Sequence, residues 1–170
     1  EGLTKIGMYC FSDCTALKNI NIPSTVKDIS RGAFRNDCNL TSIVIPNAIK
    51  VIKDNLFDGC SKLNSITFGN GVEIIGFDAF RKCSSLTNVY LPDSVRYIGS
   101  YAFHMCKSLC KVSLPKDIKT VSGSAFVKCN LLTAIDYRGT IFLMIRLPPR
   151  STPINYKNKI KVIHCIDGDI

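Results

Sequence analysis

A step of 23 residues runs through this chain and limits what it can fold into. Leu17, Leu40, Leu63, Leu86, Leu109 and Leu132 keep that spacing. So do Phe11, Phe34, Phe57, Phe80, Phe103 and Phe126, and Ile6, Ile29, Ile52, Ile75, Ile98 and Val121. Val26, Ile49, Val72, Val95 and Ile118 form a further column, and Pro23, Pro46, Pro92 and Pro115 another, with Gly69 in its gap. One such unit cannot bury its own apolar side, but stacked units can, because equivalent residues then form continuous ladders. The composition agrees: 170 residues, 46% hydrophobic and 21% charged, suit one folded domain and not a disordered segment. The longest apolar run, residues 141–145, is too short to span a bilayer.

Each unit reads Leu-x-x-Ile-x-Ile-Pro-x-x-Val-x-x-Ile-x-x-x-Ala-Phe-x-x-Cys-x-x. In the unit that opens at Leu86, Val89 and Leu91 alternate inward as on a strand. Pro92 removes a backbone donor and ends that strand at a corner. Val95 and Ile98 bracket a second short extended segment. Ala102, Phe103 and Cys106 then fall on one side of a helical turn. The expected fold class is α/β: a right-handed solenoid with a parallel strand ladder on one face, and short extended segments and short helical turns on the other. Five to six coils roughly 4.8 Å apart give a rod roughly 25–30 Å long. Residues 1–137 form the repeats, five full units and a partial first one, and residues 138–170 a capping segment of the same domain. Within the cap, residues 137–140 leave the repeat, and 141–147 suit a short apolar helix stopped by Pro148 and Pro149. Ile160, Val162 and either Ile163 or Cys165 suit a last strand.

The stretch Leu-Thr-Ser-Ile-Val-Ile-Pro at 40–46 and the stretch Ile-Gly-x-x-Ala-Phe-x-x-Cys at 98–106 resemble BspA-like leucine-rich repeats. These occur in surface and secreted proteins of gut and oral bacteria and of some protozoa. The resemblance covers about residues 3–137. Residues 137–140 and 163–170 resemble the closing cap of gut-bacterial members, although the Trp usual in that cap falls near Met144 and the chain has no Trp. The resemblance implies a leucine-rich-repeat solenoid, an extracellular or cell-surface location, and a non-catalytic interaction module. Some members are adhesins for host matrix proteins.

Nine cysteines look like a disulfide framework, but their spacing argues otherwise. Cys14, Cys60, Cys83, Cys106 and Cys129 share one column, three residues after the column Phe; Asp37 holds the column position beside Cys38. Stacked side chains point the same way with Cβ atoms roughly 4.8 Å apart, beyond the usual disulfide separation of roughly 3.5–4.5 Å. A straight ladder also cannot surround a zinc ion tetrahedrally. Small buried hydrophobes behind the Phe column are the expectation. Cys10 takes the column Ala position and is expected to be buried; Cys110 is the expected exposed thiol.

Nothing in the motifs points to catalysis, a cofactor or a metal. Of the two histidines, His104 projects from a turn towards solvent. His164 and Cys165 are neighbours on an expected strand and so face opposite ways, which prevents a nucleophile–base pair. Asp167 and Asp169 flank a glycine, far short of the ligand set of a calcium loop. Asp28, Asp54, Glu73, Asp93 and Asp117 stand one per coil, without the close pair that glycoside hydrolysis needs. Asn39-Leu-Thr41 matches a glycosylation acceptor, which matters only in a eukaryotic producer.

A partner would meet the outward positions of the strand ladder. The candidate binding face is Asn19, Asn21, Ser65, Thr67, Asn88, Tyr90 and Lys111, with Ser42, Val44 and Ser113 in the same columns. It is mostly small and polar with one aromatic, so an ordinary solvated sheet is the preferred reading of it. A second candidate is a basic stripe, Lys27, Lys50, Arg96 and Lys119, with Glu73 in the fifth place. The net charge of +9, from 22 basic and 13 acidic residues, permits polyanionic partners without selecting one. Cations that keep a long sheet soluble are the preferred reading of the stripe.

The function expected is an extracellular or cell-surface protein-interaction or adhesion module. The alternatives are a glycosaminoglycan-binding domain acting through the basic stripe, or a structural spacer. The partner expected is a protein or glycan, host surface or matrix among them. The lack of interleaved aromatics disfavours single-stranded nucleic acid. The first unit lacks its Leu-x-x-Ile-x-Ile strand, so further repeats or a cap are expected upstream. Residues 18–22 are expected to form an open edge strand that supports a monomer or a weak dimer.

Overall fold

The computed structural model describes residues 2–138 and 161–162. Six coils follow one another, each carrying one residue of the Phe column from Phe11 to Phe126; they are numbered one to six in that order. The strands are β1 (Lys5–Ile6), β2 (Asp28–Ile29), β3 (Ser42–Val44), β4 (Val51–Ile52), β5 (Ser65–Thr67) and β6 (Ile74–Ile75). They continue as β7 (Asn88–Tyr90), β8 (Tyr97–Ile98), β9 (Lys111–Leu114), β10 (Thr120–Val121), β11 (Ala134–Tyr137) and β12 (Lys161–Val162).

Every pairing is parallel, and the repeat step sets the register. Ile43 faces Ile66 across β3 and β5, and Val89 faces Val112 across β7 and β9. Ile52, Ile75, Ile98 and Val121 stand side by side across β4, β6, β8 and β10. The expected strand in the C-terminal segment is β12, which lies parallel to β11 with Val162 opposite Ile135. The expected helix at 141–147 lies outside the described residues.

The expected short helical turns are not there: no helix occurs among the described residues. Two turn columns explain this. Tyr9, Asn55, Asp78 and Tyr101 have left-handed φ of 52–57°, and Gly32 does the same at 63°. Four residues later Asp13, Asn36, Lys82, Met105 and Lys128 are left-handed at 60–63°, with Gly59 at 82°. One left-handed residue every fourth position stops a right-handed helix from propagating. The N–H groups a helix would bond internally reach the next coil instead. Phe57 N–H donates to the Ala79 carbonyl at 2.8 Å, Gly59 N–H to Arg81 at 2.8 Å, and Lys82 N–H to His104 at 2.8 Å. Among the described residues the fold is thus a parallel β-solenoid whose turn side is hydrogen-bonded from coil to coil like its strand sides.

The core lies between these sides. Phe34, Phe57, Phe80 and Phe103 are fully buried and stack in near-parallel planes with centroids 5.1–5.5 Å apart. That range fits offset stacking, in which the rings avoid facing like quadrupoles. The Leu, Val and Ile columns fill the remaining interior.

Two irregularities carry physical reasons. β5 and β7 are adjacent in the stack but not paired as strands. There Phe68 takes the place of Ile45 and Leu91 and packs edge-on against Phe80 at 5.8 Å, and Ile66 is left half-buried. Next to it, Gly69 takes the proline position because the chain passes so close to coil three: a Cβ there would stand 2.5 Å from the Pro46 carbonyl oxygen. Residues 18–22, expected as an edge strand, form none; that segment meets the third coil through Thr41 N–H on the Lys18 carbonyl at 3.1 Å. Tyr137, expected to leave the repeat, instead pairs with Leu114 and is fully buried, its hydroxyl donating to the Lys116 carbonyl at 3.1 Å.

Candidate interaction surface

The strand ladder places Asn19, Asn21, Ser65, Thr67, Asn88 and Tyr90 outward and exposed, and leaves Lys111 half-exposed beside Asp136 at 3.5 Å. Alternation explains the placement, since Ile43, Val89 and Val112 between them are buried. Val44 and Tyr90 are the large apolar side chains on this face, 62% and 63% exposed. Ser113, in the same outward column, is buried.

The basic stripe is more neutralised than its sequence implies. Lys50 Nζ lies 3.0 Å from Glu73 in the adjacent coil. Arg96 donates to the Asp93 and Val95 carbonyls and lies 3.8 Å from Asp117. Lys27 and Lys119 are exposed. The scattered carboxylates are spent in the same way, tying coil to coil. Asp28 pairs with Lys5 and Lys53, Asp54 accepts from Phe77 N–H at 2.9 Å, and Asp93 pairs with Arg138 at 2.9 Å. The Asn39 side-chain amide donates to the Thr15 carbonyl at 2.7 Å, so the potential glycosylation nitrogen already has an intercoil partner.

The thiol column does more than fill space. Cys60, Cys83, Cys106 and Cys129 are buried and unpaired, and each donates to the carbonyl of a Phe 26 residues earlier. Burial pushes the Cys60, Cys83 and Cys106 thiols far above the ordinary range, so none is a nucleophile. Cys110 is exposed, as expected. Cys14 and Cys10, expected inside, are exposed in coil one, at the end of the described stack. Cys165, His164, Asp167 and Asp169 lie outside the described residues.

Asp37 breaks the thiol column. It is fully buried; Oδ1 accepts the Cys14 N–H at 2.9 Å, while Oδ2 has no partner. Burial pushes its pKa up to about 6, against the lowering from the Cys14 bond and with a further rise from Asp13. No group of three or more His, Cys, Asp or Glu among the described residues is arranged to hold a metal ion.

The turn side carries a surface that periodicity does not advertise. The Phe77 and Tyr101 rings meet edge-on at 6.0 Å, and Tyr101 meets His104 at 5.3 Å. Phe77 and Tyr101 are 44% and 40% exposed. Partial burial, then Arg81, Lys128 and Lys82, hold the His104 pKa below its usual value. The signal available in the sequence was departure from the repeat: large rings at outward positions where, apart from Met8 and Tyr9 in coil one, the other coils carry small or polar residues.

The sequence model of the BspA type leucine-rich repeat region matches residues 1–76 and 27–142, in six copies. The chain belongs to that family. A leucine-rich repeat protein from Bacteroides ovatus shares 35% identity and a TM-score of 0.74 over 82% of this chain. The leucine-rich repeat protein of T. pallidum shares 32% identity and a TM-score of 0.66 over 68%. A leucine-rich cell surface protein from Faecalibacterium prausnitzii shares the fold at 20% identity and a TM-score of 0.58 over 89%. The chain spans 38%, 56% and 62% of these three proteins respectively. No curated protein matches it.

Proposed function

We propose that the chain is a non-catalytic interaction module of a cell-surface protein, and that it docks a protein partner through its strand face. The observation that carries this reading is the exposed pair Val44 and Tyr90 on a face whose backbone is fixed by a fully buried core. An aromatic anchor on a backbone held by a buried core loses little conformational entropy on binding. Membership of a repeat family, and the cell-surface description of the F. prausnitzii protein, support the location. The test is an array of purified host matrix proteins over the immobilised chain, repeated with Val44→Ser plus Tyr90→Ser. The expected result is a specific ligand whose affinity falls at least about tenfold in the variant, with thermal melting unchanged. Binding that ignores both substitutions moves the site off this face.

A further inference from the structure

We infer that the turn side of coils two to five, rather than the basic stripe, is a binding groove for a linear anionic glycan. This surface is separate from the strand face and does not depend on the protein-docking reading of it.

An open groove of about 340 Å³ crosses these turns, lined by Asn36, Gly59, Ser61, Lys82, Ser84, Met105 and Lys107. Its lining carries two cations, Lys82 and Lys107, and no carboxylate; at one end Asn36 donates to the exposed Asp13 at 2.9 Å. In the turn segments 57–62, 80–85, 103–108 and 126–131 the single carboxylate is Asp58, which is buried and paired with Arg35 at 3.4 Å. Lys82, Lys107 and Lys128 are exposed there, on successive coils. The stripe, by contrast, has Glu73 and Asp117 set against its cations.

The hydroxyls define the ligand further. Ser84 Oγ donates to the Ser61 carbonyl at 3.2 Å, and Ser61 Oγ to the Cys38 carbonyl at 3.4 Å. With their protons committed to the preceding coil, both oxygens offer lone pairs outward. A floor that accepts from hydroxyls, under cations that attract anions, fits a polymer bearing both groups. Spacing favours a sugar chain over an acidic peptide. The coils advance by roughly 4.8 Å where strands pair, and the Phe ring centroids stand 5.1–5.4 Å apart. An extended peptide advances roughly 3.3 Å per residue and falls out of step, whereas one pyranose advances by about one coil.

The experiment measures binding of the whole chain to a heparin oligosaccharide, with neutral dextran and polyglutamate as comparators, across a salt series. Two variants are compared: Lys82→Gln with Lys107→Gln and Lys128→Gln, and Lys27→Gln with Lys50→Gln, Arg96→Gln and Lys119→Gln. Heparin binding that weakens with salt, falls at least about tenfold in the groove variant and stays within about twofold in the stripe variant supports the inference. Urea midpoints of both variants confirm that neither has unfolded. Absence of heparin binding at physiological salt overturns the proposal, as does a larger loss in the stripe variant or a preference for polyglutamate. None of these results bears on the strand face, whose test uses Val44 and Tyr90.

Discussion

The Cys83 thiol donates to the carbonyl of Phe57, 3.2 Å away and 26 residues earlier in the chain. The same bond recurs at Cys60, Cys106 and Cys129, always to a Phe carbonyl of the preceding coil. The column is therefore a polar tie between coils as well as a filler, and cysteine suits it because it is small, apolar and still a weak donor.

Serine in place of Cys83 keeps a donor at almost the same volume, while alanine loses both donor and volume. The Phe57 carbonyl also accepts the Cys60 N–H at 3.1 Å, so it is not orphaned. Cys83→Ala is expected to cost about 1–2 kcal/mol by urea unfolding and Cys83→Ser less. Equal losses would show that the thiol bond contributes nothing.

Phe80 stacks on Phe57 and Phe103 and carries Phe68 on its edge. Phe80→Ala is expected to cost about 3–5 kcal/mol. Because each coil touches only its neighbours, calorimetry should also show the melt broadening or splitting in two. A loss under about 1 kcal/mol would mean that the ring is not in a packed core.

Asp37 makes stability depend on pH in an unusual direction. Its folded pKa, about 6, lies above its ordinary 3.8, so the folded state holds the proton more tightly. That contribution is fully present below 3.8 and is lost as pH rises through about 6. The chain should therefore gain stability on acidification from neutral pH towards about 4, before loss of the Asp28 pairs reverses the trend. Asp37→Asn keeps the acceptor for Cys14 and removes the charge, so its urea midpoint should be higher at pH 7.5 and should lack the Asp37 gain on acidification, leaving the opposite slope that the lowered His104 pKa imposes. Parallel pH profiles for the two proteins would contradict this.

Gly69 is where the repeat and the structure disagree about proline. The column asks for Pro, yet even a Cβ would stand 2.5 Å from the Pro46 carbonyl oxygen and 2.7 Å from Asn47 Cα. Gly69→Ala is expected to destabilise by about 1–3 kcal/mol, through backbone displacement against Pro46 and Asn47 on the side where β5 pairs with β3. A neutral or stabilising result would show that this contact is pliable.

The columns, the parallel register and the buried Phe and Leu ladders are all legible in the sequence, because stacking converts a constant step directly into contact. The turns were misread as helical because Ala102, Phe103 and Cys106 fit one helical face equally well. Left-handed backbone at Tyr101 and Met105 leaves no mark in residues that are not glycine. The column of Ile22, Ile45, Phe68, Leu91 and Leu114 continues through Tyr137, and the change to an aromatic hid its last member. The pairing within the stripe was not legible, because its counter-charges, Glu73 for Lys50 and Asp117 for Arg96, come from neighbouring coils. The cluster of Phe77, Tyr101 and His104 went unnoticed for the opposite reason: it is built from outward residues that break the repeat.

The most direct measurement of the stacked-coil architecture is thiol footprinting by native alkylation and peptide mass mapping, repeated in denaturant. Cys10, Cys14 and Cys110 are exposed and should label at once in native buffer. Cys60, Cys83, Cys106 and Cys129 are buried and should label only after unfolding, with none found in a disulfide. Native labelling of Cys83, or a bridge between any two column cysteines, would contradict the stacked-coil core.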